Sequence, residues 1–123
     1  ITDLAGVASL PRVDVVLSYA GADRIVIGAL VAAGTRGIIS AGLPPGRSAN
    51  GERAALVDAV ARGVIVVQST RAARGTVPMQ RFLSVDGILA GGDLSPQKLR
   101  IVLMLVLTRT SDPDVVQQML LAY

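Results

Sequence analysis

Val13-Asp14-Val15-Val16-Leu17 is a near-continuous apolar run rich in β-branched residues, and runs of this kind alternate with helix signals along most of the chain. A run of this type suits a strand covered on both faces, as in a parallel sheet, whereas a strand with one wet face alternates apolar and polar. The first strand is expected over 12–18, followed by a turn at Tyr19–Ala22. Asp23 then opens a helix whose buried stripe is expected from Ile25, Val26, Ala29, Leu30 and Ala33, with Gly34 as its terminal left-handed residue. The pattern repeats with a short strand from Gly37 to Ala41, a loop from Gly42 to Ala49 and a helix from Asn50 to Arg62. Asn50 is a good N-cap there, Glu52 suits the first turn, Arg62 suits the last, and Gly63 closes the helix. Val64 to Gln68 is the expected third strand, Ser69 to Val85 a polar, arginine-bearing connection, and Gly87 to Ala90 a fourth short strand. Such alternation implies right-handed crossovers and helices on both faces of a sheet. The expected fold is therefore α/β, a small doubly wound parallel sheet of about four strands flanked by helices.

Two helix starts close the chain. Ser95 is placed to cap the first free amides of a helix, and Pro96 sits at the first helical position, where its missing N–H costs nothing. Asp112 and Pro113 repeat the device. Between them Ile101 to Leu107 is apolar on every side, so this helix is expected largely inside the molecule or under a partner subunit. Lys98, Arg100 and Arg109 bracket a run much shorter than the roughly 20 apolar residues that span a bilayer, and no membrane partner is expected.

With 51% apolar residues and a mean hydropathy of +0.57, a 123-residue chain has ample core for one domain. Only Tyr19, Phe82 and Tyr123 are aromatic, so aliphatic side chains fill that core, and the apolar surplus points to an interface and self-association. The net charge of +3 rests on twelve basic residues, eleven of them arginines spread evenly along the sequence. Nucleic-acid binding needs a basic face with aromatic platforms or a groove-reading motif, and neither accompanies these arginines. The absence of cysteine and histidine removes thiol chemistry, the usual zinc sites and every nucleophile–histidine arrangement, so neither metal nor cofactor is expected. An acidic cluster after the first strand, as a phosphate-accepting receiver needs, is missing. The start at Ile1-Thr2-Asp3-Leu4, without methionine or a targeting run, fits a fragment of a longer protein.

In parallel sheets ligands sit beyond the carboxyl ends of the strands, so the loops at Tyr19–Ala22, Gly42–Ala49 and Ser69–Asp86 are the places for function. The loop Gly42-Leu43-Pro44-Pro45-Gly46-Arg47-Ser48-Ala49 leads into a helix N-terminus, where free amides favour an anion. Its simpler reading is a proline-stiffened turn with Asn50 as an ordinary cap. Ser69, Thr70, Arg71 and Arg74 offer hydroxyls and guanidinium groups for an anion, and a solvated loop or subunit contact accounts for them equally. Asp112 and Asp114 are explained as capping and first-turn residues, Asp86 sits beside Gly87 in a turn, and Lys98 points outward or pairs with Asp93. No two carboxylates are spaced for paired acid–base work, so the residues alone nominate no catalytic centre.

Four blocks together resemble the C-terminal domain of bacterial-type, threonine-nucleophile L-asparaginases and glutaminase-asparaginases. They are Leu10-Pro11-Arg12-Val13-Asp14-Val15-Val16, Ala33-Gly34-Thr35-Arg36-Gly37-Ile38-Ile39-Ser40-Ala41-Gly42, Val66-Val67-Gln68-Ser69-Thr70-Arg71, and the stretch from Leu94 to Tyr123 with Ser95-Pro96-Gln97-Lys98 and Thr108-Arg109-Thr110-Ser111-Asp112-Pro113. The resemblance implies the end of a linker or a lead-in segment over 1–11 and one asparaginase-type α/β domain over 12–123. It implies a parent that hydrolyses L-asparagine, or a related amide, to the acid and ammonia. The threonine nucleophile and its supporting groups would lie in a preceding N-terminal domain absent from this chain, so no catalytic residue is expected here and the isolated chain should be inactive.

What the resemblance assigns to this part is packing between subunits, as homodimer or homotetramer, and side chains lent to a neighbouring subunit's active site. Arg47, Ser48 and Asn50 are the substrate-contact candidates. Counting forward from Ala41-Gly42 puts Arg47 where better-known members carry asparagine, and counting back from the helix puts Asn50-Gly51 there, so both registers stand. A glutamate expected in the loop after the third strand has no counterpart between Ser69 and Asp86. The segment from Thr108 to Tyr123 looks most like exported, periplasmic members, with a cytoplasmic location as the alternative. A non-catalytic α/β module that binds a small anion or mediates assembly is the competing class.

Overall fold

Four strands and four helices follow one another in the expected order across the residues described by the computed structural model, namely 9–17, 25–42, 50–70 and 86–122. They are β1 (Val13–Leu17), α1 (Ile25–Ala32), β2 (Gly37–Gly42), α2 (Asn50–Ala61), β3 (Ile65–Thr70), β4 (Leu89–Ala90), α3 (Pro96–Leu107) and α4 (Pro113–Leu121). The strands form one parallel sheet in the order β1-β2-β3-β4. Both faces are covered, as a parallel sheet of near-continuous apolar strands requires. Consecutive pairs of helices do the covering, with α1 and α2 on one face and α3 and α4 on the other.

The strand alternation sorts the core into two layers. Val13, Ile39, Ile65, Val67 and Leu89 face Leu99, Leu103, Val106, Val116 and Leu120 of the C-terminal helices. Val16, Ile38, Val66 and Ala90 face Ile27 of α1 and Leu56 and Ala59 of α2. Central β2 is buried at all six positions, whereas β1 is buried only at Val13 and Val16.

Local signals account for the helix ends. Gly34 and Gly63 both have φ of +88°, the left-handed conformation that only glycine adopts at little cost. After each, the next amide reaches back over the final turn, Thr35 N–H to Leu30 O at 3.2 Å and Val64 N–H to Ala59 O at 3.1 Å, which completes the six-residue cap. At the starts of α3 and α4, Ser95 Oγ accepts from Lys98 N–H at 3.3 Å and Asp112 Oδ1 accepts from Asp114 N–H at 3.0 Å.

Three expectations are corrected. The buried stripe of α1 is carried by Ile27 with Leu30 and Val31 beside it, while Ile25 and Val26 are 71% and 53% exposed and Ala29 and Ala33 face solvent. A helix with no polar side chain has no phase to read, so the sheet chooses which face is buried. Ser69 and Thr70 continue β3 instead of starting a loop, because the ladder pairs them with Ala41 and Gly42, which itself lies in β2. Asn50 is the first residue of α2, one position past the cap assigned to it. The expectation for α3 holds for Leu99, Leu103, Val106 and Leu107, which are buried, while Ile101 is 57% exposed.

The C-terminal helices also close the two sheet edges. Arg100 Nε donates to Val13 O at 2.8 Å on the outer side of β1. On β4, Ala90 N–H donates to Gln117 Oε1 at 2.7 Å and Gln117 Nε2 donates to Ala90 O at 2.9 Å, so one side-chain amide stands in for the next strand. Glycine lets α3 approach the sheet closely. A Cβ on Gly91 would lie 2.6 Å from Leu99 Cδ1 and 2.8 Å from Gln68 O, and one on Gly37 would lie 2.7 Å from Leu103 Cδ2.

Gln117→Met keeps the shape of the side chain and strands both Ala90 groups in a buried place, so chemical denaturation should register a loss of about 2–3 kcal/mol. Gly91→Ala should cost more than Gly37→Ala, in the range of about 1–3 kcal/mol for overpacking, because Gln68 O is backbone and cannot rotate away as Leu103 can.

Candidate functional site

The carboxyl ends of β2 and β3 lie side by side, with Ala41 opposite Ser69 and Gly42 opposite Thr70. The helix α2 begins at that end and returns antiparallel to the strands, which brings its first turn to the same edge. Several polar side chains near this edge are buried. Ser40, Gln68, Ser69 and Glu52 are each no more than 2% exposed. Ser40 and Gln68 are register partners, and Gln68 Nε2 donates to the carbonyls of Ser40 and Ser69, both at 2.9 Å. A buried amide that satisfies its donors in this way ties the two strand ends together, because leaving either carbonyl bare would carry the full desolvation cost.

Of the substrate-contact candidates, Arg47 and Ser48 lie outside the described residues, as do the loops at 18–24 and 71–85. Asn50 is placed at the start of α2, next to this edge. The sequence alone does not single out the buried Ser40, Gln68 and Glu52 as site residues. A signal was present in the strands themselves, where Ser40 and Gln68 interrupt apolar runs near their carboxyl ends and come into register only when the sheet forms.

Several of the charged groups that the structure describes are paired with one another. Arg53 in α2 makes a bidentate pair with Asp86, Nε to Oδ2 at 2.8 Å and Nη2 to Oδ1 at 2.9 Å, and this hydrogen bonding raises the guanidinium pKa further above its ordinary value. Asp58 pairs with Arg62 at 3.0 Å along α2. Asp14 lies at the amino end of β1, far along the strand from the candidate edge. Burial pushes its carboxyl up, but hydrogen bonds from Arg12 and Thr35 and the charges of Arg12 and Arg100 outweigh that, so its pKa lies below the ordinary 3.8. No group of three or more histidine, cysteine, aspartate or glutamate side chains that could hold a metal is present among the described residues. No helix among them is long and apolar enough to cross a membrane. What this edge offers is hydrogen bonding and a helix N-terminus, the equipment for holding a polar or anionic ligand in place.

Comparison with known proteins agrees over nearly the whole chain. Residues 12–120 match the Glutaminase/Asparaginase C-terminal domain family. The chain is 38% identical to L-asparaginase 2 of Escherichia coli (strain K12) over 125 residues, covering 98% of this chain and 35% of that protein. It is 40% identical over 114 residues to a protein described as a probable periplasmic L-asparaginase of Haemophilus influenzae, covering 89% of this chain and 32% of that one. Among solved structures, a probable cytoplasmic L-asparaginase from Campylobacter jejuni superposes with a TM-score of 0.94 at 36% identity, covering 99% of this chain and 40% of that chain. The chain thus spans about a third of the length of the curated relatives it matches.

The depressed Asp14 pKa has a defined consequence. Its stabilisation is fully present above the unfolded-state value near 4 and is lost as pH falls through the lower folded-state value. Asp14→Asn should therefore lower stability by about 0.5–1 kcal/mol near neutral pH, and that difference should shrink in denaturation curves taken at progressively more acid pH.

Proposed function

Because this chain belongs to the Glutaminase/Asparaginase C-terminal domain family, we propose that it serves an L-asparaginase-type amidohydrolase, whose reaction adds water across the side-chain amide of L-asparagine to give L-aspartate and ammonia. The observation that carries this reading is the match of the entire α/β unit, at TM-score 0.94, to a probable L-asparaginase. In this reading the unit spans 12–123 and residues 1–11 lead into it from the preceding part of the polypeptide. The catalytic threonine resides in that preceding part, and this chain alone is inactive.

The contribution of this chain is positional. Arg47, Ser48 and Asn50, in the stretch of sequence that joins β2 to α2, are the residues we assign to contact with a substrate held by a neighbouring subunit of a homodimer or homotetramer. The buried Gln68 amide and the carbonyls of Ser40 and Ser69 that it ties together support this reading, since a contact loop needs strand ends that do not shift. A guanidinium at 47 suits the α-carboxylate of an amino-acid substrate, because a two-pronged charge-assisted pair fixes orientation as well as charge. We place the parent in the periplasm on the likeness of its last helix to exported members.

Ammonia release from L-asparagine and L-glutamine by the full-length parent, beside this chain alone, tests the assignment. Activity in the parent only is the expected result, and no activity in the parent overturns it. Arg47→Ala in the parent should raise KM for asparagine about 10- to 100-fold with kcat little changed, the signature of a lost charge-assisted binding contact. An unchanged KM would leave the contact to Ser48 or Asn50.

A further inference from the structure

Arg53 and Asp86 lie 33 residues apart in the chain and meet through two parallel N–H···O bonds, Nε to Oδ2 at 2.8 Å and Nη2 to Oδ1 at 2.9 Å. The Arg12–Asp14 and Arg62–Asp58 pairs are local by comparison, joining residues two and four positions apart. What the long-range pair connects is specific. Arg53 stands in the first turn of α2, just beyond Asn50 and ahead of Leu56, the first apolar side chain of that helix to be buried. Asp86 directly follows the 71–85 stretch that leads out of β3, and directly precedes Gly87. The turn at that point lies against the same helix, since Gly87 has φ of +74° and a Cβ built on it would come within 2.9 Å of Val60 Cγ1. The pair thus ties the start of α2, where the β2–α2 connection ends, to the residue at which the β3–β4 connection ends. Those are two of the loops in which a parallel sheet carries its ligand contacts.

We infer that Arg53 and Asp86 are positioning residues for the substrate site: their ion pair holds the β2–α2 and β3–β4 connections in one relative position, and neither side chain touches substrate. A two-pronged pair of planar groups fixes angle as well as distance, which a point charge such as lysine does not. Stability is a poor explanation for the pair. The Arg53 side chain is 60% exposed, and ion pairs in that setting add little to folding. The Asp86 side chain is 10% exposed, so the carboxylate is the fixed anchor and the arginine arm from α2 reaches to it. A contact residue displaced by about 1 Å loses much of its effect, so a tether between the two connections bears directly on binding. The inference rests on the reading of this edge as the substrate-contact site and names what keeps its contact residues in place.

The test is L-asparagine hydrolysis by the full-length parent carrying Arg53→Gln, Asp86→Ala and both together, with the thermal midpoint followed in parallel. Each single change should raise KM about 3- to 10-fold, with kcat within about two-fold and the thermal midpoint nearly unmoved. Because either change removes the same interaction, the double variant should raise KM no further than the single ones do. Unchanged KM in Arg53→Gln, or single effects that multiply in the double variant, overturns the proposal while the assignment of the site stands. A fall in kcat at unchanged KM equally overturns it. If Asp86→Ala lowers the thermal midpoint, the exposed Arg53→Gln carries the test alone. A parent without activity on L-asparagine removes the site and the tether together.

Discussion

The pair of C-terminal helices is the constraint on which the rest of the sheet depends. Four short parallel strands are a meagre sheet, and each edge exposes a row of unpaired backbone groups that invites pairing with another chain. Here one helical hairpin reaches across a whole face and supplies a side chain to each edge, Arg100 to β1 and Gln117 to β4. Its seating is equally specific, since Leu99 and Leu103 descend onto Gly91 and Gly37, where any Cβ would intrude. The buried apolar cluster on that side drives the docking, and the polar tips of the same helices close what the strands cannot close for themselves.

That arrangement frees the carboxyl edge to differ from the rest of the sheet. Ser40, Gln68 and Ser69 are buried there, and the Gln68 amide donates along β3 to Ser69 O and across to Ser40 O of β2. The first turn of α2 carries the sole glutamate of the sequence, and it is buried as well. A rigid polar floor of this kind suits a unit whose work is to hold loops in register for a ligand. Bond-breaking groups are a separate requirement, and the proposed division of labour assigns them to the part of the polypeptide that precedes this one.

The opposite face has a different character. Two helices of 8 and 12 residues cover it, and the shorter has nothing polar to keep its outer side in water. The apolar surplus visible in the composition is thereby localised. It lies partly on Ile101 of α3 and most densely along α1, where Ile25 and Val26 face solvent beside an open groove. The apolar excess was legible in the composition, but its position was not, because composition carries no geometry.

Signals confined to a few adjacent residues were decisive in the sequence by itself. The β-branched runs, Gly34 and Gly63 as left-handed terminators, and the Ser95-Pro96 and Asp112-Pro113 starts each act through local backbone geometry, and the structure shows elements there in the expected order. The terminal block and its companions likewise carried the family likeness. Tertiary structure alone decided which side of the uniformly apolar α1 turned inward, how far β3 ran beyond its hydrophobic residues, and that Arg100 and Gln117 would serve as edge strands. These outcomes depend on partners 27 to 87 residues away or on a neighbouring strand's register, as the 27-residue reach of Gln117 and the 87-residue reach of Arg100 illustrate. A linear pattern can announce that a side chain is polar or apolar. Only the assembled sheet, by placing an unsatisfied carbonyl or an empty apolar face opposite it, determines what that side chain does.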